Sequence, residues 1–242
     1  MIPLTSGRIA APDRVEFPEG FDHPSVRARA SRLKSRLAGF GNCASTVREG
    51  GAVEAGREPF LMYVEDVFDT HQGRTVLVTG RIERGRVREG DEVEIVGFHG
   101  GTVLPVEGID VYRRRVAEAR ADMNVGLSLP GKASGSVARG QVLAAPGSVG
   151  AHARFTADIA LPADDQGGAE VRTGERLQFH LRAAVVRGAV TLAPGTDVLR
   201  PLHGGTVTVA LEQPVALEEG QPFAFRHHGR AAGAGIVTRL PH

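Results

Sequence analysis

The chain has 242 residues, with 29 cationic against 28 acidic side chains and a formal charge of +1, so it exerts no global pull on nucleic acid. Its length suffices for one large or two ordinary β domains, each able to bury a core. Aromatic residues make up 5% and Trp is absent, so that core must be built mainly from Val, Leu, Ile and Ala.

Residues 1–22 are punctuated by Pro and Gly and lack the charged-then-apolar order of a secretory signal. A helical pattern follows from Pro24 to about Ala38, where Val26, Ala30, Leu33 and Leu37 share one face. Asp22 or His23 serves as its cap and Gly39 as its stop. The opposite face carries Arg27, Arg29, Arg32, Lys34 and Arg36 with no acid among them. That face suits RNA or an acidic partner, and it equally suits solvent over a packed Leu stripe. Residues 41–58 read as a linker holding the single cysteine, Cys43, which excludes an internal disulfide and a CxxC metal site.

From residue 59 strands dominate. They are expected near 60–68, 75–84, 91–98, 103–112, 123–129 and 141–145, then near 152–161, 176–186, 188–193, 205–213, 221–226 and 230–240. Turn signals stand at Gly73, Glu89-Gly90, Gly100-Gly101, Pro130-Gly131, Pro146-Gly147, Gly167-Gly168, Pro194-Gly195, Gly204-Gly205 and Glu219-Gly220. The spacing predicts a mainly β protein of two antiparallel β-barrels after a short N-terminal helical segment, with Pro146-Gly147-Ser148 as the joint. The domain expectation is 1–58 for the extension, 59–148 for the first barrel and 149–242 for the second.

The common catalytic signatures are missing. No GxxxxGK[ST], GxGxxG, HExxH or GxSxG occurs, and Gly131-Lys132-Ala133-Ser134-Gly135 reads as a loop without the strand-turn-helix context of a nucleophile elbow. Adjacent His227 and His228 would point to opposite sides of a strand and chelate poorly unless they sit in a turn. Asp164-Asp165 and Glu218-Glu219 read as solvated loop tips. Only Lys34 and Lys132 are lysines, which fits either a GC-rich genome or a preference for bidentate phosphate contacts. No apolar run approaches the ~20 residues of a membrane-spanning helix, so the expectation is a cytoplasmic protein without enzyme activity, cofactor, metal or membrane partner.

Seven blocks occur in the order EDVFD (65–69), VLVTGRIERGRVREGDEVEIVG (76–97), GIDVYRR (108–114), MNVGLSL (123–129), RGQVLAAPGS (139–148), DDQGG (164–168) and GRAAGAGIV (229–237). Together they resemble domains II and III of bacterial elongation factor Tu, the carrier of aminoacyl-tRNA. The resemblance implies two β-barrels and a site for the aminoacyl 3′ end on the first. By match, Asp66 and Phe68 supply an acid and an aromatic, and Thr79 packs near the pocket. Asp110 takes the place of a Glu that stacks on the terminal adenosine, one methylene shorter. Tyr112 and Arg113 match positions whose backbone meets the aminoacyl group, Asn124 an Asn that binds the free amino group, and Arg139 an Arg at the tRNA 5′ end. Gln178 and Arg182 match positions in the second barrel. An Arg fork suits phosphate, and flat side chains suit an unpaired base.

Read without the resemblance, Phe68 is a core residue, Asp66 a turn acid, Asn124 a strand-end cap and Arg113-Arg114-Arg115 a solvated charge run. The chain also departs from the family. DTHQGRT lengthens the first hairpin, the loop after Gly167-Gly168 is short, Val185 and Arg187 replace an Asp and a Thr, and His227-His228 replaces Glu-Gly. In the family a GTPase domain comes first, whereas here 58 residues without a phosphate-binding loop precede Pro59. The expected function is weak, noncatalytic binding of aminoacyl-tRNA, because losing one of two linked sites removes ~10²–10⁴ in affinity. The alternative is a module that binds a separate GTPase, a translation factor or a small molecule.

Overall fold

The computed structural model describes residues 58–70 and 74–241. The expected helix at 24–38, most of the linker with Cys43, and the Gly73 turn lie outside the described residues. Eleven strands come first in chain order: β1 (Leu61–Tyr63), β2 (Asp66–Thr70), β3 (Thr75–Arg84), β4 (Arg86–Arg88), β5 (Glu92–Val96), β6 (Val103–Pro105), β7 (Gly108–Val111), β8 (Arg114–Val116), β9 (Glu118–Arg120), β10 (Asn124–Pro130) and β11 (Val142–Ala144). Nine of them form one antiparallel sheet in the order β6-β5-β11-β1-β3-β10-β7-β8, with β2 beside β3; β4 and β9 form a separate ribbon. Strand pairing does not close this sheet. It curls instead, so that Leu104 of β6 and Val111 of β7 share one apolar core with Met62, Val78, Ile82, Ile95 and Leu127.

Eight strands follow: β12 (Gly150–Ala160), β13 (Val171–Arg172), β14 (Arg176–Leu181), β15 (Ala184–Leu192), β16 (Val198–Leu199), β17 (Gly204–Leu217), β18 (Pro222–His227) and β19 (Arg230–Arg239). Six close into a barrel in the order β12-β17-β15-β14-β18-β19, and β13 pairs with β16. Alternation along β15, buried at Ala184, Val186, Gly188, Val190 and Leu192, is the period-2 pattern of a strand with one wet face. The core holds four phenylalanines, Phe155, Phe179, Phe223 and Phe225, with edge-to-face contacts of 6.4 Å and 5.6 Å from Phe155 to Phe179 and Phe223. So although aromatics are few, four of them concentrate in the closed barrel. No helix among the described residues is long and apolar enough to cross a membrane.

The mainly β architecture agrees with the sequence expectation, and the differences are local. The expected strand at 60–68 is two strands, β1 and β2, lying end to end along β3. Gly80 sits at that step, where a Cβ would overlap the Tyr63 carbonyl oxygen. The expected strand at 103–112 divides into β6 and β7, and the hairpin expected to turn between 186 and 188 turns at Arg182-Ala183. Arg182 takes a left-handed backbone there, φ 57°, which no glycine or asparagine announces. Gly204-Gly205 is not a turn; it opens β17.

The sheet and the barrel meet over a small apolar cluster of Leu61, Val96, Val142 and Ala144, packed by Tyr63, Val149 and Ala216. Polar contacts surround it. Arg84 makes a two-pronged contact with Glu218, both prongs 2.7 Å. Arg182 lies 3.2 Å from Glu83 and stacks over the Tyr63 ring at 5.4 Å. The Phe98 amide donates to the Pro214 carbonyl at 2.6 Å. Burial pushes the Tyr63 phenol up, with the Arg182 charge opposing it. Glu218 is therefore half of an inter-module clamp, not the solvated loop tip that its Glu-Glu-Gly context suggests.

Candidate nucleic-acid interface

Residues paired directly across adjacent antiparallel strands point to the same face, about 5 Å apart. This places the candidate side chains by register. Asp66 on β2 pairs with Thr79 on β3, Thr79 with Gly126 on β10, Gly126 with Asp110 on β7, and Asp110 with Arg115 on β8. One row thus crosses five strands on the outer face. A neighbouring row on the same face runs Phe68, Leu77, Ser128, Gly108. On the other side Asn124 pairs with Arg81. Asp66, Phe68, Thr79, Asp110 and Asn124 are therefore brought together on one patch.

Local chemistry shapes that patch. Phe68 is 50% exposed, so it is not the core residue that its type alone suggests. The Thr79 hydroxyl donates to the Asp66 carbonyl at 3.4 Å. Gly126 leaves a notch, since a Cβ there would press on Leu77 at 3.0 Å. Tyr112 and Arg113 form the two-residue turn between β7 and β8, at φ 48° and 63°. Two positive φ angles are what a type I′ hairpin requires, and Asn or Gly normally supplies them. Here they hold Tyr112 87% exposed at the tip of the hairpin, at one end of the patch.

The remaining candidates lie elsewhere. Arg139 is exposed on the turn before β11; its neighbour Gly140 abuts Ala184 and Phe98 at the seam between the modules. Gln178 sits on the outer face of the closed barrel between Arg187 and Arg226. Arg182 is occupied by Glu83 and Tyr63. His227 is the last residue of β18 and His228 opens the turn that follows, at φ 48°; the rings stand 4.1 Å apart, and Glu175 holds His227 at 2.8 Å. Among the described residues no three His, Cys, Asp or Glu converge as metal ligands.

Sequence reasoning missed Arg115. Its carboxylate neighbours are Asp110 at 3.7 Å and Glu89 at 3.5 Å, and its Nη2 donates to the Glu107 carbonyl. The signal was present: once 112–113 is read as a two-residue turn, Asp110 and Arg115 must face each other.

Comparison with protein families gives two adjoining matches. Residues 75–144 match elongation factor Tu domain 2, and residues 148–241 match the elongation factor Tu C-terminal domain. Together these cover about two thirds of the chain. The closed six-stranded barrel falls within the second match, and seven of the nine sheet strands within the first, with β1 and β2 preceding it; the chain from Thr75 to Pro241 is an elongation-factor-Tu-like pair of domains.

Proposed function

We propose that this chain is a noncatalytic module of translation that binds the aminoacyl 3′ end of tRNA on the outer face of β2, β3, β10 and β7. Residues 59–148 act as the binding domain and 149–242 as a second domain with subsidiary contacts. The observation that carries the reading is the shared face of Asp66, Phe68, Thr79, Asp110 and Asn124, drawn from the β2–β3 hairpin and from β7 and β10 further along the chain. Phe68 offers an exposed flat surface to a base or an aminoacyl group. Asn124, at the first position of β10, accepts from the free α-amino group. The Tyr112-Arg113 turn borders the aminoacyl end, and Arg139 meets the 5′ phosphate as a charge-assisted donor. Gln178, beside Arg187 and Arg226, and Arg182 at the seam extend the surface towards the tRNA stem. GTP hydrolysis has no part in this, as the sequence holds no GxxxxGK[ST] cradle. The working place is the cytoplasm.

The test is titration of aminoacyl-tRNA against the protein and its Asn124→Ala and Arg139→Ala variants. Each loss is expected to weaken binding by about 1.5–3 kcal/mol, the worth of a hydrogen bond to a charged group. Unchanged affinity in both would sink the site assignment.

A further inference from the structure

We propose that the Arg115 guanidinium is a neutralised, flat shelf on which an unpaired nucleobase of the bound RNA stacks. This rests on the reading of the patch as an RNA-end site, and it adds a residue outside the positions matched to the family. Three observations carry it. First, a Cβ at Gly108 would fall inside the guanidinium, nearly equidistant from Cζ, Nη1 and Nη2, so the group lies face-on against the Gly108 backbone. One face is therefore covered, and only glycine allows it. Second, Nη2 donates to the Glu107 carbonyl, and the Glu89 and Asp110 carboxylates stand beside the group as ion pairs at 3.5 Å and 3.7 Å. Guanidinium donors lie in the plane of the group, so the Glu107 bond covers neither face; with one face on Gly108, the side chain's 49% exposure is what leaves the second face to solvent. Third, two carboxylates beside one cation cancel its attraction for phosphate, which separates Arg115 from the neighbouring Arg113 and Arg114.

The shelf also has a place on the strip. Gly108 shares its row with Ser128, Leu77 and Phe68. Three strand spacings separate it from Phe68, about 14 Å, so a base on Arg115 leaves Phe68 free for another group. Asp110 lies 3.7 Å from the Arg115 Nη1 as a counter-charge and does not itself stack. Purines, with the larger π face, are expected to bind better than pyrimidines.

The experiment measures binding of a short single-stranded RNA ending in a purine, in a pyrimidine or in an abasic nucleotide, across a salt series, to the wild type, Arg115→Lys and Arg115→Ala. Stacking on a flat side chain is worth about 1–3 kcal/mol per base, so both variants should lose roughly tenfold for the purine end and little for the abasic end. The slope of affinity against salt should not change, because a neutralised cation releases no counterions. Gly108→Ala, which displaces the guanidinium without removing it, should reproduce the loss, and circular dichroism confirms that it folds. Wild-type binding that Arg115→Lys leaves intact, or a loss equal for purine and abasic ends, overturns the shelf while the RNA-end reading stands. Absence of binding by the wild type removes both.

Discussion

Tyr112 and Arg113 carry backbone strain that Asn or Gly would avoid, at about 1–3 kcal/mol for each left-handed residue. Replacing the pair by Tyr112→Asn and Arg113→Gly should raise unfolding free energy by about 1 kcal/mol in urea titrations and lower RNA affinity at the same time. A rise in stability with unchanged affinity would mean that the turn serves no ligand. Gly80 shows the opposite constraint, since a Cβ there meets backbone that cannot yield. Gly80→Ala should destabilise the fold by about 1–3 kcal/mol. His180 supplies a pH dependence. Its Nε2 is buried without a partner, and burial, then the Arg226 charge, hold its folded value below the ordinary one. The unfolded chain then binds the proton first, so stability should fall as pH drops below about 6.5 towards the folded value. The slope in that window should shrink in His180→Gln; an unaltered slope would assign it to other groups.

Long strands with clear alternation were legible in the sequence, and β3 runs from Thr75 to Arg84 as its pattern indicates. The short ribbons β4–β9 and β13–β16 were not, because two or three residues cannot display a period. The division of β1 from β2 was hidden for another reason: it depends on the contact of Gly80 with Tyr63, which is tertiary. Half of the candidate site was legible as residue types. Its assembly into rows was not, since register depends on turns such as Tyr112-Arg113 and Arg182-Ala183 that lack the usual glycine. In the closed barrel, Phe179 touches Phe155, Phe223 and Phe225 and is wholly buried. Phe179→Ala should cost about 3–5 kcal/mol, read as a lowered midpoint in denaturant.

At the scale of the molecule, the sheet and the barrel are joined by an apolar cluster and by the Arg84–Glu218 and Arg182–Glu83 pairs. The Arg84 and Glu218 side chains are 23% and 36% exposed, so their coupling in a double-mutant cycle should be about 1 kcal/mol, above that of an open surface pair. Such a seam fixes where Arg139 stands relative to the strip of Asp66, Phe68 and Asp110. The most direct test of the whole account compares binding of aminoacyl-tRNA with binding of the same tRNA deacylated, at low and moderate salt. The account predicts tighter binding of the charged form at both. Equal binding of the two forms, falling steeply with salt, would contradict it, because counterion release carries no information about the amino acid.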